Sequence, residues 1–137
     1  MSRLSFDLYA LELAETASRR SEDVFRKVGA VGLTNDKRVV AVAYNGLPSG
    51  FYMDQALSES RDARRPYMIH AETNLCSLFK RGEVETVGIT CSPCSTCFLN
   101  LLSHGVKRVI YNGEYTDNDV FKLAEYYKEC ITLKGYV

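Results

Sequence analysis

Apolar residues recur at Leu4, Leu8, Leu11 and Ala14, a spacing that puts them on one face of a helix over residues 4–19. The period then changes. Residues 28–33 and 39–44 are short β-rich runs joined by Asn35-Asp36-Lys37, which predicts a hairpin. Residues 45–66 lose all periodicity, are broken by Gly46, Pro48 and Gly50, and read as a long loop, a length that in a compact domain usually carries function. From there helical and strand patterns alternate. A helix is predicted over 70–80, a strand over 84–91, a helix over 94–103 stopped by Gly105, and a strand over 106–111. A helix over 117–129, capped by Asp117 or Asn118, and a final strand over 130–133 complete the chain. The order αββαβαβαβ predicts an α/β fold with a mixed five-stranded sheet. The hairpin supplies antiparallel strands and the alternating half supplies parallel ones with crossover helices.

Length and composition narrow this picture. The 137 residues fit a single domain with a real core, and 46% hydrophobic and 25% charged residues are ordinary for a soluble globular protein. Seventeen basic residues balance seventeen acidic ones, which argues against a broad nucleic-acid or membrane surface while leaving room for a local phosphate pocket. No apolar run approaches the length of a membrane span, and no signal peptide opens the sequence. The five cysteines therefore read as reduced, cytoplasmic thiols, with Cys76, Cys91 and Cys130 as inert packing residues.

The chemistry lies in two short stretches, His70-Ala71-Glu72 and Pro93-Cys94-Ser95-Thr96-Cys97. Catalytic zinc usually takes three protein ligands and keeps a fourth position open for water. His70, Cys94 and Cys97 supply one imidazole and two thiolates. Ser92 followed by Pro93 reads as a cap and first turn, so both cysteines fall at the positive end of a helix, which favours thiolates. Bound zinc lowers the pKa of its water to near ~7, and Glu72 is placed to move protons for that water. An H-x-E with P-C-x-x-C is the known signature of zinc deaminases that remove an amino group from a nucleobase. The competing reading is a closed structural zinc site with a fourth ligand from Cys76, Cys91, His104 or Cys130, which leaves Glu72 without a purpose.

Four stretches give the chain a family resemblance: Arg26-Lys27-Val28-Gly29-Ala30-Val31, Tyr44-Asn45-Gly46-Leu47-Pro48-Ser49-Gly50, His70-Ala71-Glu72-Thr73-Asn74, and Ser92 to Cys97 with Val109-Ile110-Tyr111. Over residues 18–115 it resembles the cytidine deaminase-like superfamily, and within it the deoxycytidylate (dCMP) deaminases. Free-nucleoside cytidine deaminases carry a cysteine where His70 stands, and transfer-RNA adenosine deaminases lack the YNGxPxG loop. The resemblance implies a three-layer α/β/α sandwich, conversion of dCMP to dUMP in pyrimidine deoxynucleotide metabolism, and a homo-oligomer, often a hexamer.

The same resemblance places His70, Cys94 and Cys97 on zinc, Glu72 as proton shuttle, the Ala71 amide on the pyrimidine carbonyl and Asn45 on the sugar. Asn45 also reads as a turn residue before Gly46. For the 5′-phosphate, Arg26 leads, with Tyr115 near substrate by family likeness and Ser18, Ser21, Arg19 and Arg20 as further candidates. A solvated surface role competes for each. Met68 and Phe51 either line the base pocket or pack. Residues 51–69 contain no Cys or His, so one zinc per chain is expected rather than the two of some members. Many members are regulated by dCTP and dTTP, and Arg61, Arg64 and Arg65 are the cations available to a triphosphate. Two alternatives stand beside this reading. One is a deaminase of another nucleoside, a free base or RNA adenosine, against which the neutral charge and the YNGxPxG loop count. The other is a non-catalytic zinc- or nucleotide-binding module, against which Glu72 counts.

Overall fold

The computed structural model describes residues 2–114, 117 and 119–136. Its centre is a five-stranded sheet of order β2-β1-β3-β4-β5, formed by β1 (Gly29–Leu33), β2 (Val39–Tyr44), β3 (Thr86–Ile89), β4 (Arg108–Tyr111) and β5 (Thr132–Gly135). β1 runs antiparallel to both β2 and β3, with Val31 opposite Val42 and Gly88. β3, β4 and β5 are parallel, with Val87 opposite Val109 and Ile110 opposite Lys134. The mixed sheet expected from the sequence is thus observed.

Helices cover both faces, giving the three-layer sandwich. On one face α1 (Phe6–Ser18), capped by the Ser5 hydroxyl on the Leu8 amide, sets Ala10 and Ala14 against Val31 and Leu33. The approach is close. A Cβ on Gly29 would stand 1.9 Å from the Ala14 carbonyl oxygen, so only glycine permits this contact. On the other face α4 (Ala71–Cys76), α5 (Ser95–Ser103) and α6 (Asp119–Tyr126) bury Leu75, Phe98, Leu101 and Val120 against Ala30, Ala41, Val87 and Val109. With both faces covered, β1 is buried at every position, which explains why it reads as a continuous apolar run rather than an alternation.

Element bounds shift by a few residues from the sequence pattern, the last strand from 130–133 to Thr132–Gly135, and three differences are larger. The long loop of residues 45–66 contains two short helices, α2 (Gln55–Glu59) and α3 (Arg61–Arg64), followed by a 3₁₀ turn, Arg65–Tyr67. Each helix starts on a capping side chain: the Leu57 amide donates to Asp54 Oδ1 at 2.9 Å and the Ala63 amide to Ser60 Oγ at 3.2 Å. Neither carries an apolar stripe, so periodicity does not reveal them. The helix expected over 70–80 ends at Cys76. The helix expected to be capped by Ser92 starts later, with Cys94 itself in the N-cap position. Among the described residues, no helix is long and apolar enough to cross a membrane.

Candidate active site

Two helix N-termini converge on the site. His70 is the N-cap residue of α4 and Cys94 that of α5, with Cys97 in the first turn after it. The backbone before His70 is pinned by reciprocal hydrogen bonds between Ile69 and Gly46, 2.8 and 3.1 Å, which join the YNGxPxG loop to the first zinc ligand. The Asn74 amide adds a 2.9 Å bond to the Tyr44 carbonyl.

The ligand atoms of His70, Cys94 and Cys97 all lie within 4.8 Å of one another, and no other group of this kind is found among the described residues. His70 Nδ1 stands 3.2 Å from Cys97 Sγ and 3.6 Å from Cys94 Sγ. A tetrahedral zinc with Zn–S of ~2.3 Å and Zn–N of ~2.0–2.1 Å holds its N and S ligands roughly 3.6 Å apart. The triplet therefore fits zinc and leaves the fourth position open. Cys76, Cys91, His104 and Cys130 do not join it. His104 closes α5, its Nδ1 2.9 Å from the Asn100 carbonyl.

The three groups are coupled through their hydrogen bonds. The Cys94 thiol is pulled down to about 4, first by the hydrogen bond from the Cys97 thiol and then by His70. Cys97, which supplies the proton of that bond, is pushed up, and His70 is raised by its hydrogen bond to Cys94. Glu72 lies in the first turn of α4 and is 4% exposed. Burial raises its carboxyl above the usual carboxylate range.

His70, Cys94 and Glu72 open into a cavity. Ala71, Asn45, Arg26 and Met68 line it together with His70, Glu72 and Cys94, as the sequence anticipated. Asn45 is 7% exposed and ties the chain together: its Oδ1 accepts from the Val28 amide at 2.9 Å and its Nδ2 donates to the Arg26 carbonyl at 2.9 Å. Ser18 and Ser21, expected near the phosphate, do not line the cavity. Both are buried with committed hydroxyls, Ser18 donating to the Glu15 carbonyl and Ser21 to the Asn45 carbonyl. Arg19 is bonded to Thr16, and Arg20 stands over the Tyr44 ring beside a second cavity that also contains Phe51. Tyr115 lies outside the described residues. Cys91 is not simple packing but lines the site cavity, and Cys130 is exposed.

Arg61, Arg64 and Arg65, which the sequence offered as cations for a triphosphate, line this same cavity, and Asp23 is the lining residue that sequence reasoning missed.

Comparison with known proteins agrees with this geometry. Residues 4–113 match the model of the cytidine and deoxycytidylate deaminase zinc-binding region. The chain is 32% identical to the deoxycytidylate deaminase of Mycobacterium phage D29 over 128 residues, 83% of this chain and 99% of the phage protein. It is 27% identical to the human deoxycytidylate deaminase over 126 residues, 85% of this chain and 70% of that one. Among solved structures, the dCMP deaminase of cyanophage S-TIM5 in complex with dCMP and dUMP shares the fold, with a TM-score of 0.79 at 24% identity, covering 99% of this chain and all of the phage one. With an open-sided His-Cys-Cys triplet beside a buried glutamate and a family match over most of its length, the chain belongs to the zinc-dependent cytidine and deoxycytidylate deaminases.

Proposed function

We infer that this chain catalyses hydrolytic deamination of dCMP to dUMP and ammonia. The observation that carries the reading is one cavity lined by His70 and Cys94 of the ligand triplet, the buried Glu72 and four arginines. Zinc bound to the triplet supplies a water activated at neutral pH. Glu72 takes one proton from the attacking water and delivers it to the ring nitrogen, then takes the second from the newly added hydroxyl and passes it to the amino group, which leaves as ammonia as the carbonyl forms. Its raised carboxyl matches this alternation. The Ala71 amide, in the first turn of α4 beside the cavity, receives the pyrimidine carbonyl. Asn45 keeps a second lone pair on Oδ1 for a sugar hydroxyl and fixes the Arg26 carbonyl, and so the segment that presents Arg26 to the phosphate. Ser21 acts through the backbone of Asn45 rather than on substrate.

The chain works as one catalytic domain with one zinc, as a homo-oligomer and in the cytoplasm. Free cysteines and the exposed Leu4, Phe6, Tyr9, Val40 and Val42 support the last two points. The test is steady-state kinetics on dCMP, deoxycytidine and cytosine, followed by loss of cytosine absorbance. A kcat/KM for dCMP well above that for the other two supports the reading. Preference for the nucleoside or free base moves the substrate elsewhere in the family.

A further inference from the structure

Between residues 51 and 70 a single side chain is buried, and it is an arginine, Arg64. α2, α3 and the 3₁₀ turn bury nothing else. An arm of this composition has no apolar reason to stay on the body. Beyond the backbone pairing of Ile69 with Gly46 at its end, its one buried anchor is a charge. Arg64 Nη1 lies 2.9 Å from Asp23 Oδ2, with the two side chains 5% and 3% exposed, and the guanidinium stands 4.6 Å over the Phe25 ring. Asp23 is itself the knot of the segment opposite. Its Oδ1 accepts from the Phe25 and Arg26 amides at 2.8 and 3.0 Å, and its Oδ2 also accepts from Asn45 Nδ2 at 3.4 Å. Arg64 Nε is buried with no hydrogen-bond partner among the described residues, an unusual state for a guanidinium beside a ligand cavity.

Arg61, Arg64 and Arg65 line the cavity from the arm, and Arg26 lines it from the segment that Asp23 caps. Guanidinium groups from two segments meeting at one cavity suit a dianionic group such as a phosphate monoester. We propose that the Asp23–Arg64 ion pair is the clasp that fastens the arm to the body and sets Arg61 and Arg65 against the substrate phosphate. Asp23 and Arg64 are then positioning residues for affinity, and the inference rests on the phosphate-bearing substrate proposed above. Ser49 to Met68 thus becomes a specificity segment fixed at one point, rather than a loop packed along its length.

The experiment compares wild type, Arg64→Lys, the double variant Asp23→Asn/Arg64→Met and the surface double variant Arg61→Ala/Arg65→Ala on dCMP and deoxycytidine. The Asp23→Asn/Arg64→Met chain leaves no buried charge unpaired, and the Arg61→Ala/Arg65→Ala chain alters only exposed residues, so folding is preserved in at least one. Both double variants should raise KM for dCMP about tenfold or more, the loss expected for charge-assisted hydrogen bonds. The kcat for dCMP should fall less than twofold and kcat/KM for deoxycytidine should stay level, while Arg64→Lys recovers part of the affinity. Chymotrypsin should cut the arm at Tyr52 or Tyr67 faster in Asp23→Asn/Arg64→Met than in wild type. Equal losses on both substrates, or unchanged KM and cleavage, overturn the clasp alone. A wild type that does not discriminate dCMP from deoxycytidine overturns the phosphate reading and the clasp with it.

Discussion

Replacing Glu72 by Gln isolates the proton shuttle from everything else in the site. The two side chains have nearly the same volume, so a position that is 4% exposed gains neither a cavity nor a clash. The metal ligand set comprises His70, Cys94 and Cys97 only, so zinc content should remain at one per chain. What disappears is acid–base catalysis, worth typically ~10²–10⁴ in rate, or about 3–5 kcal/mol of barrier. The kcat for dCMP should therefore fall at least ~10²-fold while metal analysis is unchanged. A second consequence follows from the raised carboxyl of Glu72. Below the ordinary value of 4.5 both folded and unfolded states hold the proton. As pH rises, the unfolded chain ionises first, so this carboxyl's contribution to stability is lost up to the higher folded pKa. At pH 7 the metal-free Glu72→Gln protein should then melt above metal-free wild type. The assays are cytosine absorbance for turnover, metal analysis on the same sample, and thermal unfolding after chelation. A zinc-loaded Glu72→Gln enzyme within tenfold of the wild-type kcat refutes the shuttle.

Three further outcomes are expected. Arg26→Ala should lower kcat/KM for dCMP by about tenfold or more and leave deoxycytidine nearly unaffected, a pattern read from parallel kinetics on the two substrates. Gly29→Ala should prevent α1 from docking, because its Cβ would meet the Ala14 carbonyl oxygen at 1.9 Å, and the chain should be largely unfolded or insoluble by circular dichroism. Asp7 is bonded to Arg108 at 2.9 Å across the α1–β4 boundary, and that hydrogen bond holds its carboxyl below the ordinary value of 3.8. Its contribution is present above pH ~4 and lost as pH falls through the lowered value, so Asp7→Asn should flatten the acid side of the stability profile measured by denaturant melts.

The metal triplet was legible in the sequence because coordination chemistry dictates both residue types and spacing. Two cysteines three apart, a histidine and a nearby glutamate leave little freedom. The sheet was legible because the hairpin and the alternation of periods constrain topology. Element ends were less so. Ser92 and Pro93 look like a helix start, yet the cap is Cys94, since residues 91–93 extend the chain into the site and Ser92 is anchored by its amide to the Gly113 carbonyl at 2.7 Å. The short capped helices of residues 55–64 expose nearly all their surface and so leave no apolar signature. The burial of Arg64 against Asp23 was illegible for a further reason. A charged residue in a polar stretch is solvated by default, and only tertiary structure brings Asp23 beside it. Ser18 and Ser21 show the converse: both hydroxyls are spent on backbone carbonyls, Ser18 on Glu15 in its own helix and Ser21 on the distant Asn45.

The central claim is that one zinc per chain, held by His70, Cys94 and Cys97, makes this protein a dCMP deaminase. The most direct test is to strip the metal, add zinc back in steps, and follow conversion of dCMP to dUMP at each step. Activity should rise linearly and level off at one equivalent per chain, and a Cys97→Ser variant should neither retain zinc nor turn over. Full activity in the metal-free protein, or none at one bound equivalent, contradicts the account.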